Sequence, residues 1–206
     1  MEGGDKLRDL KVIREDVKKL FDDLEIELPK ESYTAIARMW LNLTEGYQPM
    51  NIKRDFPLCF PLEGERQIIE ICNIRFYTFC EHHALPFLGY LHYAYIPKDK
   101  VIGLSKPARI VEHFSKRLQI QERLTQQVSD ALWEIVEPVA HVVETEAVHL
   151  CSVMRGVRTP DEAVRVRVER VDEELYKSLN REGHLYHMVK DLLSKTFKHK
   201  APIKIL

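Results

Sequence analysis

The order of its hydrophobic periodicities predicts an α+β domain for this 206-residue chain: two helices, then strand–strand–helix–helix–strand–strand, then further helices. Three observations carry the prediction. The run RQIIEICNIRFYTF (66–79) is dense in β-branched and aromatic residues, as strands are. AVRVRVERV (163–171) alternates apolar and charged side chains, the pattern of a half-buried strand. Between them, two stretches at about 106–117 and 120–137 read as helices. Strands joined as hairpins, with helices laid on one face, make an α+β layer with an antiparallel sheet.

In chain order, Leu7, Leu10, Ile13, Val17, Leu20, Phe21 and Leu24 give residues 5–25 an apolar stripe at helical spacing. A second helix covers about 31–45 and stops near Gly46, and residues 47–65, rich in proline and turn formers, read as an irregular connector. After the strand at 66–79, a turn at Cys80–Pro86 leads into a second strand, FLGYLHYAYI (87–96). Gly103 and Ser105 precede the first of the two central helices, and Pro138 ends the second. HVVETEAVHL (141–150) reads as a strand, followed by a loop around Gly156 and Pro160, the strand at 163–171, and helices at about 172–181 and 185–196. The expected division is an N-terminal helical segment, 1–50, and a main domain with a helical tail, 51–206.

A hydrophobic fraction of 45% is enough for a core, and a net charge of −1 gives no bulk attraction to nucleic acid or to an anionic membrane. Any bound anion must be held by a local cluster. The opening residues MEGGDKLRDLKVIRED contain no apolar run suited to a signal peptide, and no segment approaches the roughly 20 apolar residues of a membrane span. The expectation is a soluble cytoplasmic protein. In that setting the four cysteines, Cys59, Cys72, Cys80 and Cys151, point to metal binding or catalysis before disulfides.

Cys80-Glu81-His82-His83 sets a thiolate and an imidazole three residues apart at a strand end, and His149-Leu150-Cys151 supplies a second pair at the end of a later strand. Zinc accepts such sulfur and nitrogen donors tetrahedrally, and three protein ligands leave a position for a water that the ion activates. The spacing alone leaves open which of these residues ligate. Ser105 begins a helix with Lys106 and Arg109 close behind, so backbone N–H groups and two cations favour an anion there; Ser105 as an N-cap with Pro107 inside the helix is the structural alternative. His92 and His113 read as strand and helix surface residues, and Cys59 and Cys72, without metal-spaced partners, as small apolar residues.

CEHHALPFLG (80–89), VIGLSKPARIVEHFSKRLQIQERLTQQ (101–127) and EAVHLCSVMRGV (146–157) closely resemble the signature segments of GTP cyclohydrolase I, in the same order. The resemblance implies the tunnelling fold, a β-β-α-α-β-β unit, and assembly into a homo-oligomeric ring, commonly a decamer of two stacked pentamers with sites at subunit interfaces. It implies conversion of GTP to 7,8-dihydroneopterin triphosphate and formate, a step of pterin and tetrahydrofolate biosynthesis. Carried over by position, the zinc ligands fall on Cys80, His83 and Cys151, and the acid/base histidines on His82 and His149. Guanine recognition falls on Glu122 with Gln121 beside it, and triphosphate binding on Ser105, Lys106, Arg109 and Arg155. A carboxylate suits guanine because it accepts from N1–H and the exocyclic amine together, a donor pair that adenine lacks.

Two segments depart from the family pattern. The N-terminal REGLxxTPxRVA stretch is replaced by Ser32-Tyr33-Thr34-Ala35 ahead of Ala37-Arg38-Met39-Trp40, without the proline and the basic residues that help hold phosphates. After MRGV, a Ser/Thr-rich strand gives way to RTPDEAVRVRVERV and a longer tail ending KHKAPIKIL. Alternative readings therefore stand beside the first: a divergent cyclohydrolase that stops at a formamidopyrimidine or takes a guanine nucleotide with fewer phosphates, and a catalytically idle binding or regulatory homologue.

Overall fold

Asp9 starts the first helix, its carboxylate accepting from Lys11 N at 2.7 Å, an N-cap that satisfies one of the otherwise orphaned amides. A computed structural model describes residues 9–55, 59–155, 163–195 and 197. Residues 5–8 of the expected first helix, the loop at Gly156 and Pro160, and the tail from Lys198 onward lie outside the described residues. Helix α1 (Leu10–Asp23) packs on α2 (Lys30–Leu43) through Val17, Tyr33 and an edge contact between Phe21 and Tyr33. A single 3₁₀ turn, Glu45–Tyr47, follows.

The connector expected to be irregular contains a short helix α3 (Ile52–Asp55) and a strand β1 (Cys59–Pro61). Strand β1 exists because it pairs with a partner about forty residues away, which no local pattern announces. Strands β2 (Ile69–Cys80) and β3 (Pro86–Ile96) form the expected hairpin, and the partner of β1 is β4 (Lys100–Ile102). Then come α4 (Ser105–Ser115), a two-residue strand β5 (Leu118–Gln119), α5 (Gln121–Val136), β6 (Ala140–His149), a single turn of helix α6 (Leu150–Val153) and β7 (Val164–Val171). Helices α7 (Glu173–Ser178) and α8 (His184–Ser194) close the described chain.

The main sheet has the order β5-β2-β3-β6-β7, with β5 parallel to β2 and the remaining pairs antiparallel. This is the predicted β-β-α-α-β-β unit, an α+β fold with an antiparallel sheet. Side chains alternate across a strand, so each strand serves two faces. Phe76, Leu91, Tyr93, Tyr95 and Val143 face α4 and α5, against Ile110, Val111, Leu124, Val128 and Leu132. Ala94, Ile96, Ala140 and Val142 face the other way, where α8 lays down Met188, Val189 and Leu192. Helices α4 and α5 thus share one face as expected, and the C-terminal helix adds a cover over part of the other. His92 lies on that second face, 1% exposed and stacked on Phe197 at 5.1 Å, so it is a core residue and not the surface residue expected. Burial on both sides is why β6 shows no clean alternation in sequence.

Register sets the site. Phe79 pairs with Pro86 and Phe87 with His149, so the end of β2, the start of β3 and the end of β6 meet at one edge of the sheet. Gly89 allows that pairing: a Cβ there would stand 1.9 Å from the Glu146 carbonyl oxygen. Among the described residues, no helix is long and apolar enough to cross a membrane.

Candidate metal centre

Cys80 is the last residue of β2, and the turn after it folds back on its carbonyl. Ala84 N donates to Cys80 O at 2.8 Å, and Cys80 N donates to Leu85 O at 2.8 Å. Ala84 takes φ 50°, left-handed backbone that lets five residues reverse the chain and carry His82 and His83 over the strand end. Cys151 arrives from the other side, in the first turn of α6 directly after β6. As a result the donor atoms of Cys80, His83 and Cys151 all lie within 4.8 Å of one another. Cys80 is buried, Cys151 half-buried and His83 exposed, a cluster with one open side.

The donor set fits a zinc-like cation. Two thiols and an imidazole are the soft and borderline ligands that zinc takes, and three of them leave the open position of a catalytic geometry. Burial, and after it the neighbouring Cys80, pushes the Cys151 thiol up. Two sulfurs in contact cannot both ionise cheaply without a cation between them, which is the electrostatic case for one. Cys80 Sγ lies 3.8 Å from Nδ1 of both His82 and His83, yet His82 stands outside the three-donor cluster, 65% exposed and 4.0 Å from a Glu81 oxygen. Glu81 in turn pairs with Arg123, which also donates to Gln119 Oε1 at 2.9 Å.

His149 is fixed more firmly. Its ring lies parallel to that of Phe87, centroids 4.4 Å apart, and its Nε2 is 3.0 Å from Gln121 Oε1. Gln121 and Glu122 open α5 on adjacent positions that point apart. Gln121 is 2% exposed and bonded inside the protein, whereas Glu122 is exposed at the same edge of the sheet. Arg155 is exposed four residues beyond Cys151, and Gly156 after it lies outside the described residues.

The residues expected to hold an anion sit elsewhere. Ile102, just before α4, donates from its backbone N–H to Tyr95 Oη at 3.1 Å, and Tyr95 pairs with Ile69 at the far end of the sheet from Cys80. The other end of α4 leads into β5, which pairs with Phe79 and Cys80. Eleven helical residues, about 16 Å, therefore separate Ser105 from the metal edge. The structure does not bring Ser105, Lys106 or Arg109 to the cysteines within one chain. Ser105 is the first helical residue and not the cap: Leu104 holds that position and no side chain caps the helix. Lys106 is 8% exposed with no hydrogen-bond or ion-pair partner for its ammonium among the described residues, whereas Arg109 is exposed beside a cleft of about 380 Å³.

Three remaining expectations resolve differently. His113 is half-buried, its Nε2 accepting from Arg117 Nη2 at 3.0 Å, and so is bound within the packing. Cys59 is half-buried against the core as expected of a small apolar residue, while Cys72 is exposed. Phe87, Thr125 and Thr145, which hold the surroundings of His149, carried no signal in the sequence beyond their place in a strand or helix.

Comparison with known proteins bears on the same region. The family model described as GTP cyclohydrolase I matches residues 11–183. A GTP cyclohydrolase 1 of Hyperthermus butylicus is 42% identical over 181 residues, which is 84% of this chain and 90% of its own. One from Caldanaerobacter subterraneus subsp. tengcongensis is 41% identical over 157 residues, 76% of this chain and 82% of its own. One from Deinococcus radiodurans is 46% identical over 123 residues, 60% of this chain and 56% of its own.

Proposed function

The chain belongs to the GTP cyclohydrolase I family, and on that premise we propose that it is a zinc-dependent enzyme that opens the guanine imidazole ring of GTP, forming 7,8-dihydroneopterin triphosphate and formate. The observation that carries the reading is the Cys80–His83–Cys151 cluster beside an imidazole, His149, whose ring is held on two sides. Bound there, zinc would supply Lewis acidity and a water of lowered pKa for attack on C8. The chain's own residues do the rest. His149 and His82 flank the cluster and move protons, since ring opening needs a proton on a leaving nitrogen and an imidazole can both give and take one. Glu122, exposed and adjacent, accepts from guanine N1–H and the exocyclic amine.

The distance between the metal edge and Ser105–Lys106 supports a site completed by a second copy of the chain in a homo-oligomeric ring. Lys106, a buried residue whose ammonium has no protein partner among the described residues, is a natural counter-charge for a triphosphate. Arg155 approaches from the cysteine side. Incubation of zinc-loaded protein with GTP should release formate and a fluorescent pterin, identified by mass spectrometry. Absence of both between pH 6 and 9 would remove the reading.

One observation favours a second reading. Where basic residues would help hold phosphates, Tyr33 is instead buried in the α1–α2 packing and its hydroxyl accepts from Leu28 N at 3.1 Å. A weaker phosphate grip fits a preference for a guanine nucleotide with fewer phosphates, or release at the formamidopyrimidine. Turnover of GTP, GDP and GMP compared side by side separates the two; strong preference for GTP with full pterin product excludes the second.

A further inference from the structure

We propose that Gln121 is a positioning residue that fixes the ring orientation and tautomer of His149, holding the proton on Nε2, and does not itself read the purine. The assignment rests on the reading of His149 as a working histidine. Its geometry comes from a closed set of hydrogen bonds. Gln121 Nε2 lies 2.9 Å from Val164 O and 3.3 Å from Thr145 O. Carbonyl oxygens only accept, so the amide nitrogen must face them and Oε1 must face the other way.

The hydroxyls agree. Thr125 Oγ1 donates to Gln121 O at 2.8 Å, which uses its one proton. The 2.7 Å contact between Thr125 Oγ1 and Thr145 Oγ1 then requires Thr145 to donate. With its proton so used, Thr145 Oγ1 accepts from Gln121 Nε2, 3.1 Å away. Every donor in the loop meets an acceptor, and reversing the amide would set Oε1 against two carbonyls. Thr125 and Thr145 are fully buried and Gln121 nearly so, so no water competes for these groups.

What remains is Gln121 Oε1, an acceptor, 3.0 Å from His149 Nε2. A neutral imidazole has one N–H, and this contact demands it on Nε2, which makes Nδ1 the basic nitrogen. Phe87, fully buried, sets the plane of the ring, and Gln121 sets its rotation within that plane. Gln121 has then spent its amide inside the protein, and the exposed Glu122 beside it is left to meet a ligand.

The tautomer is read directly by magic-angle-spinning ¹⁵N spectra of histidine-labelled protein, with the His149 signals assigned by their loss in His149→Asn. Wild-type protein should show the Nε2–H form; the Nδ1–H form would overturn the proposal without any Gln121 variant. Gln121→Glu keeps an acceptor toward His149 as the protonated acid, whose O–H replaces the amide N–H facing Val164 O, and Gln121→Leu removes the acceptor. Leu should mix the tautomers and lower kcat about 10- to 100-fold with KM for GTP changed little, while Glu recovers part of the loss. A raised KM with unchanged kcat and an unchanged His149 signal would return Gln121 to the purine. If neither wild type nor variants act on GTP, the spectra still decide the role of Gln121, and the functional reading alone fails.

Discussion

The imidazole of His149 lies flat on the phenyl ring of Phe87, with 6° between their planes and 4.4 Å between their centroids. The two residues are direct cross-strand partners on β6 and β3, so the stack follows from the register. Such aromatic pairs contribute about 0.5–1.5 kcal/mol beyond their burial. Phe87→Leu keeps most of the apolar volume and loses the flat surface. It should cost roughly 1–2 kcal/mol in urea unfolding and lower kcat about tenfold. An unchanged kcat would mean that the ring plane is held without Phe87.

Removal of a sulfur should empty the metal centre without unfolding the domain. Cys151 is a half-buried member of the cluster, so in Cys151→Ser zinc content by plasma mass spectrometry should fall from about one ion per chain toward none. Cys72→Ser, at the other end of β2, should leave the content unchanged. Equal loss in both variants would point to non-specific thiol binding.

His141 predicts a pH dependence of stability unrelated to catalysis. It is fully buried between α5 and the sheet, its Nε2 2.9 Å from Ser129 Oγ, and its edge contacts reach Trp133 and Tyr93. Burial lowers its pKa from 6.5 to about 3. The unfolded state binds the proton more readily, so stability is full above about pH 6.5 and is lost as pH falls toward 3, by an amount on the order of 3–5 kcal/mol. Urea midpoints measured from pH 7.5 to 4.5 should fall, and His141→Phe should flatten the slope even if it lowers the plateau. A slope that His141→Phe leaves intact would assign the effect to other groups.

Helix α8 begins at His184, one residue past the end of the family match, yet it covers sheet residues within that match. Leu192→Ala removes a fully buried side chain from this packing and should cost about 2–5 kcal/mol. Zinc content should stay constant, because the metal edge is at the opposite end of β3. Loss of metal in a folded Leu192→Ala protein would contradict that separation.

Gly46 marks where the N-terminal helices rest on the domain. Its carbonyl accepts from Arg117 Nε at 2.6 Å, and a Cβ would stand 2.1 Å from the His113 carbonyl oxygen. Gly46→Ala must push that backbone aside, at about 1–3 kcal/mol in thermal or urea unfolding. A stability equal to wild type would show that the 3₁₀ turn is not docked there.

Sequence and structure agree most where a pattern is local. The strands at 66–79 and 163–171 and the helix pair between them are legible from period alone, and their observed bounds differ by a few residues at the ends. Strands β1, β4 and β5 are not, because two or three residues become a strand only through a distant partner. That Cys80, His83 and Cys151 come together is legible from residue type and motif. The role of Gln121 is not, since QERLTQQ reads as a solvated helix start until Thr145 and Val164, over twenty residues away, are brought against it. His92 misleads for the opposite reason: a lone histidine in a strand reads as a surface residue, and only α8 and Phe197 make its face dry.

Val164, which accepts from Gln121, is the first residue of β7, and β7 is the outermost strand of the main sheet. Edge strands open by local fluctuation more often than the strands they flank. Each such opening would release one side of the glutamine that steadies His149, so the readiness of the histidine is tied to how long the sheet's border stays closed. Amide exchange at Val164 then becomes a clock for the site, and whatever shields that border, a neighbouring strand included, would lengthen the interval in which the imidazole is aligned.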